Sequence, residues 1–157
     1  MKRVALIGMP NTGKSTLFNR LSGATARVAN WPGMTVDLTT ARVLLGGEMV
    51  KFADLPGVYS LGGHTEDEAV VQQFLATVAL DGIVAVVNAA RLELQLPLVL
   101  ALKAIGVPLL VVLNMADEAA KLGIAIDTER LARELGAPVL AVSAKYGQGI
   151  EGAKRDR

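Results

Sequence analysis

Two rhythms of apolar and polar positions alternate along this chain. Arg3-Val4-Ala5-Leu6-Ile7 is a short apolar run suited to a buried strand, and over residues 15–21 Leu17, Phe18 and Leu21 recur at helical spacing. Ser22-Gly23 closes a turn, and the polar, glycine-containing stretch 24–34 reads as a loop. Residues 36–45 are rich in β-branched side chains, Gly46-Gly47 signals a hairpin, and residues 48–53 alternate, which predicts two antiparallel strands, the second ending at Asp54. A loop over 55–64 leads to Thr65-Glu66-Asp67-Glu68, a capping box that opens a helix continuing over 69–80.

Residues 82–87 and 107–113 are apolar on both alternating faces, as strands covered by helices on both sides are. Between them, 92–105 has a helical pattern. Pro97 costs about 3 kcal/mol inside a helix unless it falls in the first turn, which predicts a start near Leu94. A helix over 127–135 stopped by Gly136, a strand over 138–142 and a truncated helix opening at Gly149-Ile150-Glu151 complete the pattern. Strands alternating with helices predict an α/β fold in three layers, with a mostly parallel sheet carrying one antiparallel edge hairpin. Right-handed crossovers then put ligands at the carboxyl ends of the strands.

Length and charge narrow this picture. The 157 residues suit one domain with one core, and 16 Lys+Arg against 15 Asp+Glu leave a net charge of +1, so no global field favours nucleic acid or anionic lipid. With no cysteine, there is neither a disulfide frame nor a thiolate metal site, in keeping with a reducing cytosol. The apolar runs fall far short of the roughly 20 residues that span a bilayer, so a soluble piece is expected. The phosphate-loop pattern interrupts the first apolar run at once, which does not fit a signal peptide.

That interruption carries the chemistry. Gly8-Met9-Pro10-Asn11-Thr12-Gly13-Lys14-Ser15 fits G-x-x-x-x-G-K-[ST] between a strand and a helix. Gly8 and Gly13 let backbone N–H groups wrap an anion at a helix N-terminus. Lys14, expected as a solvent-facing charge, would reach the terminal phosphates, and Ser15 would ligate Mg²⁺. Asp54-Leu55-Pro56-Gly57 follows a strand end, where the carboxylate can hold a Mg²⁺ shell and Gly57 can turn its N–H to a γ-phosphate; alone, the same residues make an ordinary turn. Asn114-Met115-Ala116-Asp117 ends a central strand. The Asp117 carboxylate there can accept two hydrogen bonds from the guanine N1 and N2 edge, or serve as the cap of the next helix. Ser143-Ala144-Lys145 after the last strand either backs the base with main-chain N–H groups or is a plain turn. His64 has no other ligand types at metal spacing and reads as solvated.

Taken in order, these pieces resemble the GTP-binding domain of translation-factor-like small GTPases, a Ras-like phosphate-loop fold. Arg27-Val28-Ala29-Asn30-Trp31-Pro32-Gly33-Met34-Thr35-Val36 and Asp54-Leu55-Pro56-Gly57-Val58-Tyr59-Ser60-Leu61 resemble specifically the N-terminal G domain of the ferrous iron transport protein B (FeoB) family. The resemblance runs on through Asp67-Glu68, Leu92-Glu93-Leu94-Gln95-Leu96 and Leu113 to Asp117, nearly the whole chain.

It implies GTP as substrate and GDP as product, bound by Gly8, Asn11, Thr12, Gly13, Lys14, Ser15 and Thr16, by Asn30, Trp31, Pro32, Gly33, Met34 and Thr35 of the first switch, and by Asp54 and Gly57. Asn114, Met115, Asp117, Ser143, Ala144 and Lys145 would take the base. It makes Ser15, Thr35 and Asp54 the Mg²⁺ ligands and Asn11 a K⁺ ligand, with Lys14, Asn11, Thr35 and Gly57 bearing the catalysis. Read alone, Thr35 is a strand-start residue, Asn11 a tolerant turn residue and Trp31 a partly buried anchor. Val58 stands where Ras-like enzymes place a water-orienting glutamine, in keeping with a family that relies on a monovalent cation instead.

Met9 departs from the family, many of whose members carry a second asparagine there. The resemblance further implies a cytoplasmic position beside the cell's inner membrane, with a helical domain and a membrane transporter domain beyond this piece, and any homo-oligomer formed through the full-length protein. Two other readings stay open: a nucleotide-sensing module with incidental hydrolysis, and a ribosome-associated GTPase of related fold.

Overall fold

The computed structural model describes residues 1–149, and the helix expected from Gly149-Ile150-Glu151 lies outside them apart from Gly149. Seven strands form one sheet: β1 (Lys2–Gly8), β2 (Arg27–Asn30), β3 (Asp37–Leu45), β4 (Glu48–Asp54), β5 (Gly82–Asn88), β6 (Leu109–Asn114) and β7 (Val139–Ala141). Their order is β2-β3-β4-β1-β5-β6-β7. β3 pairs antiparallel with both neighbours, and all other pairings are parallel. The helices are α1 (Lys14–Ser22), α2 (Glu66–Thr77), α3 (Leu92–Lys103), α4 (Ala116–Lys121) and α5 (Thr128–Leu135).

The pleat sorts the core into two layers, because successive strand residues point to opposite faces. Ala5 and Ile7 of β1 pack with Val71 and Phe74 of α2, Leu98 and Leu102 of α3, Ala119 of α4 and Leu135 of α5. Val4 and Leu6 point the other way, to Leu17, Phe18 and Leu21 of α1. The three-layer arrangement and its mostly parallel sheet are those the sequence predicts.

Four elements differ from the sequence-based expectations. Residues 27–30, read as loop, form β2, whose side chains are almost all exposed because it is the outer edge of the sheet. α2 stops at Thr77 rather than at 80, since Val78 turns extended and buries its side chain in the core. α3 begins at Leu92, not near Leu94, so Pro97 lies inside it. Glu93, whose carbonyl loses its helical donor to that proline, and Pro97 are both exposed, so the interruption faces solvent. α4 was not expected, being six residues long and started by Met115 in the left-handed region. Asp117 is therefore a residue of its first turn and not the cap.

The capping box of α2 closes with a variation. The Thr65 hydroxyl accepts from the Glu68 N–H at 3.0 Å, but the Glu68 carboxylate accepts from the N–H of His64 (3.2 Å) and the hydroxyl of Ser60 (3.0 Å). Glu68 thereby orders the 60–65 loop as well as the helix start.

Candidate functional site

The carboxyl ends of β1, β4, β6 and β7 converge on one edge, and nearly all the polar residues singled out above lie there. The loop after β1 is shaped by two glycines with different reasons. A methyl on Gly8 would meet the Val86 carbonyl oxygen at 2.5 Å, so β1 and β5 approach too closely for any side chain. Gly13 has φ +75°, and a methyl there would meet Asn114 Nδ2 at 2.4 Å. Asn11 also sits in the left-handed region, at φ +65°, which asparagine tolerates better than most residues. Inside the loop the Thr12 hydroxyl donates to the Met9 carbonyl at 3.1 Å.

Lys14 departs from expectation. Its side chain is buried rather than solvent-facing, and its ammonium pairs with the Asp54 carboxylate at the end of β4. The β1–β4 register brings the two together, since Leu6 stands opposite Asp54. Beyond Asp54 the chain is stitched back to β1: Leu55 N–H donates to the Leu6 carbonyl (3.2 Å) and Val58 N–H to that of Gly8 (3.0 Å). Gly57 passes so close to Pro10 that a methyl would meet its nitrogen at 3.0 Å. The Val58 side chain is buried in the core.

The cleft so formed has a volume of about 430 Å³ and is lined by residues 9–16, Gly57 and Asp67. Asp67 was missed as a site residue because its place in the first turn of α2 was accounted for by helix capping. Among the described residues no three His, Cys, Asp or Glu side chains form a metal cage. Mg²⁺ bound beside phosphates keeps most of its shell as water and phosphate oxygen, so one or two protein oxygens suffice. The Asp54 carboxylate and Ser15 hydroxyl are hard donors of that kind. A larger groove of about 810 Å³, between the start of α3 and the α4–α5 connection, has neither a phosphate-wrapping backbone nor a base-reading carboxylate at a strand end.

The second half of the site is joined to the first by one amide. Asn114, 2% exposed, donates from Nδ2 to the Thr12 carbonyl (2.9 Å) and accepts at Oδ1 from the Ala144 N–H (2.9 Å). It is thus a strut between the phosphate loop and the 143–145 loop. Met115, at φ +61°, turns the chain so that Asp117 faces Ser143. The Ser143 hydroxyl donates to the Asp117 carboxylate (2.8 Å) and accepts from the Asp117 N–H (3.1 Å). That hydroxyl is the chief reason the Asp117 carboxyl lies below its ordinary value of 3.8. Lys145 is exposed, its ammonium over the Tyr146 ring.

The first switch stands apart. Trp31 is 1% exposed, edge-on to Phe74 of α2 at 5.3 Å, with the Lys51 ammonium 4.3 Å from its ring centroid. Met34 is buried beside it, while Asn30 Nδ2 donates to the Met34 carbonyl at 3.4 Å. Pro32, Gly33 and Thr35 are exposed, and the Thr35 hydroxyl lies 3.5 Å from Gln73 Oε1 on α2. Neither Thr35 nor Trp31 lines the phosphate-loop cleft. The indole is deeper than the partly buried anchor its polar sequence neighbours suggest.

A three-layer sheet with a G-x-x-x-x-G-K-S loop after β1 and an Asn-x-x-Asp turn after β6 defines the G-domain fold of phosphate-loop GTPases. Residues 2–156 match the family model described as ferrous iron transport protein B, so the chain belongs to that family. It is 53% identical over 152 residues to the Fe(2+) transporter FeoB of a Synechocystis species, covering 97% of this chain and 25% of that protein. Against the solved cytosolic domain of L. pneumophila FeoB it has a TM-score of 0.90 at 43% identity, covering 97% of this chain and 67% of the other. The cytosolic domain of T. maritima FeoB in its GMPPNP form gives 0.92 at 36% identity, covering 99% and 62%. The chain thus spans about a quarter of the Synechocystis transporter's length. The ribosome-associated reading falls away with this membership.

Proposed function

We propose that this chain binds GTP with Mg²⁺, hydrolyses it slowly to GDP and phosphate, and serves as the nucleotide-switch domain of a ferrous iron transporter. The observation that carries the reading is the Asn114 strut at the end of β6, which ties the glycine-rich loop after β1 to the 143–145 loop, whose Ser143 hydroxyl donates to the Asp117 carboxylate. A relative at 36% identity taking GMPPNP supports it.

In this reading the N–H groups of the 8–13 loop and the Lys14 ammonium bear the negative charge of the terminal phosphates, Lys14 leaving Asp54 to do so. Ser15 and Asp54, with Thr35 once the first switch has moved to the cleft, would hold Mg²⁺, which would supply charge neutralisation when bound. The Gly57 N–H donates to a γ-phosphate oxygen. Asp117 accepts from guanine N1 and N2, while the 143–145 loop backs the ring. Buried Val58 orients no water, so intrinsic turnover is slow. Asn11, whose amide makes no hydrogen bond among the described residues, would offer its oxygen to K⁺.

Titration with GTP, GDP and ATP side by side tests the binding, with guanine nucleotides expected to win by about a hundredfold. Hydrolysis in K⁺ and Na⁺ at matched ionic strength tests the rest: K⁺ accelerates it, and Asn11→Ala removes most of the gain while sparing GDP affinity. Equal rates in both salts reject the K⁺ role. A rate no faster than the roughly 10⁻⁴ s⁻¹ of unassisted Ras favours the alternative, a nucleotide-sensing module with incidental hydrolysis, which buried Val58 also fits.

A further inference from the structure

We infer that Arg20 is a positioning residue for the base-reading loop and sets how long a guanine nucleotide stays bound; this rests on the function proposed above. Arg20 lies in the last turn of α1 and reaches across to a loop 124 residues later. Its Nε donates to the Ala144 carbonyl at 2.9 Å and its second terminal nitrogen to the Lys145 carbonyl at 2.8 Å. Two donors in a planar fork grip two successive carbonyls, which fixes the direction of the peptide planes between them and not merely their distance.

The loop's other supports act elsewhere. Ser143 and Gln148 exchange main-chain hydrogen bonds at 2.9 and 3.1 Å, closing its base, and Asn114 holds the Ala144 N–H. Among the described residues, Arg20 is the one side chain outside the loop that holds its carbonyl side. Gly147 closes the turn beside the guanidinium, at a φ of +74° that favours glycine.

The position in α1 gives the contact its meaning. The helix that begins with Lys14 and Ser15 at the phosphates carries Arg20 six residues on, about 9 Å along its axis at the standard rise. One rigid rod therefore touches the phosphate end and the base end of the site. Without the guanidinium the Lys145 carbonyl turns to water, the Ala144 carbonyl keeps only the Gly147 N–H (3.2 Å), and the loop still closes through Ser143 and Gln148. The loss accordingly falls on loop order, and with it on nucleotide residence, more than on folding.

Release of a fluorescent GDP analogue, chased with unlabelled GDP, is compared among wild type, Arg20→Lys and Arg20→Ala in the full chain, with pyrophosphate affinity measured by calorimetry as a readout of the phosphate loop alone. Two charge-assisted bonds at a solvent-exposed site predict release about tenfold faster in Arg20→Ala, an intermediate rate in Arg20→Lys and pyrophosphate affinity unchanged. Should Arg20→Ala not fold, Arg20→Gln against Arg20→Lys carries the same comparison. Release within about twofold of wild type overturns the inference, as does pyrophosphate affinity falling in step with that of GDP, which would mark a general loosening of α1. Failure of the underlying reading looks different, because wild type itself would then hold ADP as well as GDP.

Discussion

The corner around Asn114 and Asp117 and the segment around Trp31 are held by opposite means. At the corner, Asn114, Asp117, Ser143 and Ala144 are tied by short directional bonds of 2.8 to 3.1 Å, all springing from the ends of the central strand β6 and its neighbour β7. In the first switch, two buried apolar side chains, Trp31 and Met34, anchor a segment whose polar residues stay exposed. Directional bonds fix orientation, so the corner is rigid, as the proposed reading of a planar base requires. Burial fixes position along the sheet edge but leaves Thr35 turned to solvent beside Gln73, able to exchange that contact for another. The two regions thus differ in the kind of interaction that holds them.

The contrast can be broken most forcefully at Trp31. Trp31→Ala removes a large core side chain and its pairing with Phe74, which costs about 3–5 kcal/mol of stability and is read as a lowered denaturation midpoint at unchanged slope. A loss under about 1 kcal/mol would mean the first switch is not held by burial. Asp117→Asn has the opposite signature. The fold stays within about 1 kcal/mol of wild type, while GTP affinity falls about a hundredfold and xanthosine triphosphate becomes the better ligand, since the amide donates where the carboxylate accepted. An unchanged GTP-to-xanthosine ratio would remove Asp117 from base reading.

The smallest effect sharpens the corner through pH. The Asp117 carboxyl titrates below its unfolded value of 3.8, chiefly because of the Ser143 hydroxyl. Its contribution is therefore complete above that value and lost as pH falls through the lower, folded one. Ser143→Ala should lower the melting temperature slightly and equally at about pH 6 and about pH 8, and by less in strong acid, where the hydroxyl keeps only the bond from the Asp117 N–H. A difference between the two neutral conditions would point to another titrating partner.

The phosphate loop was legible because its spacing is local: two glycines, a lysine and a serine within eight residues state both backbone shape and charge. Strands β5 and β6 were legible because a strand buried on both faces is apolar throughout. What escaped depended on distant partners. Residues 27–30 have no apolar face because an edge strand needs none on its exposed side. The burial of Lys14 depends on Asp54, forty residues on and adjacent only through the β1–β4 register. The depth of Trp31 follows from Phe74 across the sheet edge, and polar neighbours in sequence conceal it. Asn114 was placed correctly at a strand end, but only its two hydrogen bonds reveal it as a strut between two loops.

The dry seat of Trp31 also gives the protein an optical property. Trp31 is the sole tryptophan of the chain, so its ultraviolet emission comes from one place, an apolar pocket with a phenyl ring and an ammonium against the indole. Emission from a dry indole lies to the blue of emission from a wetted one. Any excursion of the first switch that lifts the ring from Phe74 therefore registers as a red shift, whereas events confined to the base corner leave the spectrum still. The molecule carries its own label on the segment that the proposed function has moving to the cleft.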